Sequence, residues 1–390
     1  PGGLNVLQWA IANGVCASST STMSIQVDPA PTIATAGPNQ AICISTPSTT
    51  LAGNTATVGI GTWSVISGSG TITNSLTANS TVTNLALGVN VLEWSISSGA
   101  CGVTSSTMSI QVDNVPTISA AGPNQTLCIS SPTTVLAGNT ALVGLGTWSV
   151  ITGSGSVTTP TLETSNVTAL AVGLNVLEWT IANGACGSST STMSIQVDQA
   201  PTIAAAGPNQ TVCITAPTAT VNGNAPTVGT GIWTLVSGTG TIVSTASPTT
   251  TIINLGVGTN VFEWTISNGS CAPSVSSMTI TVDPAPTIAA AGPNQTICIS
   301  TASTTVNGNN PTTGIGVWTL VSGTGTITSA GSPTTTLVNL GLGPNVFEWT
   351  ISNGSCAPSV SSITITVDPA LTLPVAGPNQ TICISSPVAT

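Results

Sequence analysis

The 390-residue chain contains no Lys, Arg, His or Tyr, ten acidic residues and ten cysteines, and carries a net charge of −10. Without an imidazole base, an amine nucleophile or a cationic phosphate clamp, most enzyme mechanisms lose their parts, and no basic groove is available for nucleic acid. Hydrophobic residues make up 40% and charged residues only 3%, and the mean hydropathy is +0.46, so the chain is unlike a disordered one and is expected to fold as a non-enzymatic protein without cofactor or metal.

No uninterrupted apolar run approaches the ~18 residues of a membrane-spanning helix, so no span is predicted within the chain. Its opening Pro1-Gly2-Gly3 is not a secretory leader, and the sequence reads as an excerpt of a longer exported protein.

The cysteines fall into two series, Cys16, Cys101, Cys186, Cys271, Cys356 and Cys43, Cys128, Cys213, Cys298, Cys383, each stepping by 85 residues. The same step relates Trp63, Trp148, Trp233 and Trp318. It also relates Trp9, Trp94, Trp179, Trp264 and Trp349, and the Asp28, Asp113, Asp198, Asp283, Asp368 series. Cutting after each Asp gives a partial repeat 1–28, whole repeats 29–113, 114–198, 199–283 and 284–368, and a partial repeat 369–390. A period this long suits a small independent sandwich better than a solenoid coil.

Within 29–113, Thr32–Ala36 and Gln40–Ile44 read as a first strand split at Gly37-Pro38, and Thr49–Ala52 as a second. Gly61–Ser67 reads as a third, and Ser80–Leu85 as a later one. In 90–97, Leu92, Trp94 and Ile96 alternate with Val91, Glu93 and Ser95, and Met108, Ile110 and Val112 alternate with Thr107, Ser109 and Gln111, so one face of this last hairpin is core and the other wet. Sustained helical periodicity is missing and β-branched residues dominate. The predicted class is all-β, a tandem array of immunoglobulin-like or PKD-like sandwiches with both tryptophan series in the core, one on the third strand and one on the sixth.

The cysteine gaps alternate between 27 and 58 residues, without the close pairs of a zinc site, so disulfides in an oxidising, extracytoplasmic compartment are expected. Pairing inside a repeat, Cys43 with Cys101, is the simplest arrangement and would stabilise a repeat by roughly 3–4 kcal/mol in the chain-entropy model. Strand order argues against it, because Cys43 ends the first strand and Cys101 lies in the loop between the last two, at opposite ends of a standard sandwich. Head-to-tail staples Cys43–Cys186, Cys128–Cys271 and Cys213–Cys356 are the alternative, followed by links between chains.

Each repeat reads AGPNQ, then a Cys, then G-x-W and S-G-x-G, then N-V-L/F-E-W, a second Cys and a closing I-x-V-D. This pattern resembles the PKD-like and immunoglobulin-like tandem repeats of giant surface adhesins of Bacteroidota, the type IX secretion class that includes gliding-motility adhesins. The resemblance implies a secreted, cell-surface adhesion protein. Its repeats usually carry some Lys and Arg and often AGPDQ, whereas Asn39, Asn124, Asn209, Asn294 and Asn379 stand here.

Glu93, Glu178, Glu263 and Glu348 read as a solvated face, and the junction Asp series as too sparse in carboxylates for calcium. Asn124, Asn209, Asn294 and Asn379 begin Asn-Gln-Thr glycan-acceptor patterns. The sequence therefore predicts a structural stalk or filament segment of an extracellular adhesin. Its partners are neighbouring repeats or copies of itself, and surface glycans or other cells reached through regions outside this chain. A self-assembling fibre and a carbohydrate-binding array are the rival readings.

Overall fold

A computed structural model describes residues 2–381 and 385. It divides into two compact units, Pro1–Ala200 and Pro201–Thr390. The first unit opens with an antiparallel hairpin, β1 (Gly3–Ile11) and β2 (Ser19–Val27). The strands that follow are β3 (Gln40–Cys43), β4 (Thr49–Thr50), β5 (Ile60–Ser67), β6 (Thr71–Ile72), β7 (Thr81–Thr83), β8 (Gly88–Ser97) and β9 (Val103–Asp113). They form a four-stranded sheet in the order β3-β9-β8-β5 facing a three-stranded sheet β4-β7-β6. The same pair of sheets recurs over 125–198 in the first unit and over 210–283 and 295–368 in the second. The protein is an all-β array of immunoglobulin-like sandwiches. Among the described residues the helical structure consists of three-residue 3₁₀ turns at Gly99–Cys101, Gly184–Cys186 and Ile299–Thr301.

Period-2 alternation builds the sandwich. Leu92, Trp94 and Ile96 of β8 and Met108, Ile110 and Val112 of β9 point into one core with Leu51, Val82 and Leu85 from the facing layer. Trp63 on β5 and Trp94 on β8 stand directly opposite each other in the ladder, with ring centroids 5.1 Å apart and planes tilted by 39°. Offset and tilted ring pairs of this kind add to plain area burial. Each indole N–H still finds an acceptor: Trp63 Nε1 donates to the Ala78 carbonyl at 3.0 Å and Trp94 Nε1 to that of Asn54 at 3.2 Å. The pair recurs at Trp148/Trp179, Trp233/Trp264 and Trp318/Trp349.

The ring of Trp94 lies so close to the backbone of Gly61 that a Cβ there would sit 2.1 Å from a ring carbon. A second fixed point is Asn90, fully buried at the start of β8. Its Oδ1 accepts from the Ser69 amide at 2.9 Å and its Nδ2 donates to the Ala86 and Gly88 carbonyls at 2.8 and 3.2 Å. One amide thereby holds the turn after β5 against the entry to β8.

Several expectations change in the structure. Thr32–Ala36 is not a ladder strand: the amides of Ala34 and Ala36 are satisfied by the hydroxyls of Thr104 and Ser106 on β9, at 3.1 and 3.2 Å. The second strand is only Thr49–Thr50 and the later one only Thr81–Thr83, while β6 was not read from the sequence. Trp9, expected in a core, is 71% exposed on the two-stranded β1–β2 hairpin.

Gly61→Ala is expected to cost about 1–3 kcal/mol by overpacking against a ring that has no room to move. In guanidinium unfolding followed by tryptophan fluorescence, one phase should shift to lower denaturant while the phases of the other repeats stay in place.

Candidate functional site

The residues that could do more than fill cores gather where one repeat meets the next. The first strand, β3, pairs with the last, β9, in parallel, with Cys43 opposite Asp113. A parallel partner ends where its neighbour ends, so Cys43 and Asp113 share the exit end of the sandwich. Cys101 lies at the other end, in the turn that precedes β9. Ten residues of extended strand separate those ends by about 33 Å, against a limit of about 7 Å for the Cα atoms of a disulfide. The intradomain pairing Cys43–Cys101 is therefore geometrically impossible.

Cys43 is instead bonded to Cys186, in the last hairpin turn of the following repeat, with Cα atoms 4.6 Å apart and a sequence separation of 143. In the second unit Cys213 and Cys356 repeat the bond at 4.8 Å and the same separation. Cys128 and Cys271 are also disulfide-bonded. Cys16 and Cys101 are free and exposed, and Cys298 is free and half-buried. Cys383 lies outside the described residues.

At the Asp113 and Asp283 junctions the sulfur bridge is joined by hydrogen bonds from the same turn. The Asp113 carboxylate accepts from the Ala185 amide at 2.8 Å, and Asn183 Nδ2 donates to the Asn114 carbonyl at 2.7 Å. In the second unit, Asp283 accepts from the Ser355 amide at 2.7 Å and from its hydroxyl at 3.0 Å, and Asn353 Nδ2 donates to the Pro284 carbonyl at 2.7 Å. A carboxylate bonded to an amide makes a charge-assisted hydrogen bond, stronger than a neutral one. The loop reaches it because its second residue is glycine: Gly184 has φ +46°, and a Cβ there would lie 2.0 Å from Asp113 Oδ2.

The Asp series, read from sequence only as junction residues too sparse in carboxylates for calcium, thus has members that act as docking acceptors for the next repeat's hairpin. The Asn of the Asn-Gly-Xaa-Cys turn went unremarked because Asn-Gly is an ordinary turn signal; its recurrence three residues before the Cys was the available clue. Among the described residues no group of three or more His, Cys, Asp or Glu side chains could hold a metal ion. The tryptophans offer little to a ligand: Trp63, Trp94, Trp148, Trp179, Trp233, Trp264, Trp318 and Trp349 are all buried, and only Trp9 presents its ring to solvent. Glu93, Glu178, Glu263 and Glu348 are half-buried on the outer face of the large sheet.

No protein-family model matches the sequence, and no curated protein is similar to it. Solved structures with partial likeness include the N-terminal eight immunoglobulin domains of Down Syndrome Cell Adhesion Molecule, at 14% identity and a TM-score of 0.41 over 93% of this chain and 52% of that one. An I-band fragment of titin aligns at 16% identity and a TM-score of 0.41 over 65% of this chain and 98% of that one. Sidekick-1 immunoglobulin domains 1–4 align at 14% identity and a TM-score of 0.32, over 87% and 99%. The chain spans about half the length of the first of these. Overlaps of this size carry nothing about ligand or partner.

Asp28 docks the turn of the repeat that follows it in the same way, accepting from the Ala100 amide at 3.0 Å. That bond, with a second from the Gln26 side-chain amide, holds its carboxyl below the ordinary value of 3.8. A folded-state value below the unfolded one means that the contact's contribution is complete above the ordinary carboxylate range and is lost as pH falls through the lower folded value. The ¹³C shift of the Asp28 carboxyl should therefore titrate with a midpoint below 3.8 in the folded chain and return to about 3.9 in denaturant; a folded midpoint above 4 would remove the docking role.

Proposed function

We propose that this chain is a tension-bearing segment of an extracellular adhesin or filament stalk, with 29–113, 114–198, 199–283 and 284–368 as successive domains and 1–28 and 369–390 as parts of two more. It spaces and mechanically supports an adhesive region carried elsewhere, at the cell surface. The observation that carries this reading is the pair of bonds Cys43–Cys186 and Cys213–Cys356, each tying the exit end of one repeat to the next. The resemblance of the repeat pattern to Bacteroidota surface adhesins supports an adhesive context and a type IX export route. Cores that bury eight of nine tryptophans leave a carbohydrate-binding array few aromatic platforms.

The staples change the path of a pulling force. Tension on the two ends crosses from Cys43 to Cys186 and from Cys213 to Cys356 through sulfur, so residues 44–185 and 214–355 carry none of it as stretched backbone. Covalent links, rather than sheet hydrogen bonds, then set the extensible length. The negative charge and lack of any Lys or Arg also leave no cleavage site for a trypsin-like protease along a fibre exposed to solvent.

Single-molecule pulling tests this. With disulfides intact, only about a quarter of the backbone can extend, giving a limiting length of about 350–380 Å, and reductant should release it to about 1,300–1,400 Å. An oxidised chain that extends to the longer value contradicts a stapled stalk.

A further inference from the structure

An asparagine amide is most easily lost before glycine, whose nitrogen can attack the preceding side-chain carbon with no Cβ in the way. The pairs Asn222-Gly223 and Asn307-Gly308, inside sandwiches, are closed to that reaction. Their glycine amides donate to the Pro248 and Pro333 carbonyls at 2.9 and 2.8 Å, and a Cβ on Gly223 would lie 3.1 Å from the rings of both Trp233 and Trp264. The junction pairs Asn183-Gly184 and Asn353-Gly354 differ. Gly184 and Gly354 are exposed, and neither nitrogen donates a hydrogen bond to any described residue.

The docked turn is what restrains these two sites. Asn183 has ψ +96°, which sets the Gly184 nitrogen on the side of the Cα–C bond away from Cβ, whereas closing a five-membered imide needs the two eclipsed. The Asn183 amide donates to the Gly187 carbonyl at 3.0 Å and its carbonyl accepts from the Cys186 amide at 3.0 Å, fixing that backbone. The side chain is held by its 2.7 Å bond to the Asn114 carbonyl. At Asn353 the matching bonds are 3.0 Å from the Cys356 amide and 2.7 Å to the Pro284 carbonyl. In both turns the cysteine that makes the backbone bond also carries the staple. Docking itself does not require the asparagine: with Ser98 in its place, Asp28 still accepts from the Ala100 amide at 3.0 Å.

We propose that Asn183 and Asn353 are self-modification sites held dormant by docking, and that an opened junction lets each be converted to aspartate or isoaspartate, so that the joint cannot close again. The chemistry needs only the closed joint and holds whether or not the stalk carries load. Once the turn is loose, the Gly184 nitrogen attacks Asn183 Cγ. The Cγ–Nδ2 bond breaks, and the glycine proton leaves with the amide nitrogen as ammonia. Water then opens the imide at either carbonyl, with no oxidant, metal or second protein consumed. The product places a carboxylate where Nδ2 donated, against the Asn114 carbonyl and near the Asp113 carboxylate that the same turn contacts. Acceptor then faces acceptor and like charge faces like charge, in a chain with no Lys, Arg or His to relieve it. Isoaspartate also adds a methylene to the backbone of a turn with no room for a Cβ at Gly184.

The test compares the oxidised full chain with a variant carrying Cys43→Ser and Cys186→Ser, which removes one staple and keeps Cys213–Cys356. Both are aged in mildly alkaline buffer and digested with chymotrypsin or elastase, and amide loss is read by peptide mass and isoaspartyl methyltransferase labelling. Asn183 should convert about tenfold or more faster in the variant, because the rate follows the fraction of time the turn is open. Asn353, Asn222 and Asn307 should keep their parent rates. In a second arm the parent chain is reduced, aged and reoxidised, and linked Cys43–Cys186 peptides should re-form only with intact Asn183. Equal Asn183 rates in parent and variant, matching acceleration at Asn353, or linked peptides carrying converted Asn183 would each overturn the proposal. None of these outcomes alters the pulling length of an oxidised chain, so failure here is separable from failure of the stalk reading.

Discussion

The parallel pairing of the first strand with the last governs what the cysteines can do. An antiparallel edge strand would have put Cys43 beside the turn of its own repeat and made each sandwich a closed bead. Because β3 runs with β9, Cys43 and Asp113 emerge together at the exit end, and the nearest turn belongs to the following repeat. The bond to Cys186, the carboxylate bonded to the Ala185 amide and the Asn183 amide on the Asn114 carbonyl all follow from that placement. A disulfide needs its Cα atoms within a narrow range, and the two hydrogen bonds seat the turn where the sulfurs can meet.

A protein without cations must hold its acids and its loops by other means. Hydroxyls and amides take over. Thr104 and Ser106 satisfy the segment before β3, and the Asn90 amide ties two turns from inside the core. Junction carboxylates are met by backbone N–H groups where other proteins use Lys or Arg. Such bonds are short-range and need no long flexible side chain to be ordered, which lowers the entropy cost of a rigid joint. They also explain the glycines: a turn that must bring its amide onto a carboxylate has no room for a Cβ at Gly184.

Much of this was legible in the sequence, because an unbroken 85-residue step and strict alternation around Trp94 and Ile110 fix both the repeat and the buried face. Burial of the eight tryptophans of the four whole sandwiches followed from the same alternation. Thr32–Ala36 misled because β-branched residues favour extended backbone whether or not a neighbouring strand supplies the hydrogen bonds. The role of Asp113 and Asn183 was illegible for a different reason. It depends on residues 72 and 69 positions apart meeting across a junction, and local pattern carries no information about that distance. Strand order set head-to-tail staples beside the intradomain pairing, with links between chains behind them, and the direction of one short edge strand excluded the intradomain pairing.

The central claim is that cysteines join successive repeats. The most direct measurement is peptide mapping without reduction, using chymotrypsin or elastase, since trypsin has nothing to cut. Linked peptides carrying Cys43 with Cys186 and Cys213 with Cys356 are the predicted result. A peptide joining Cys43 to Cys101 would contradict the account, returning the array to separate beads whose joints have no covalent support.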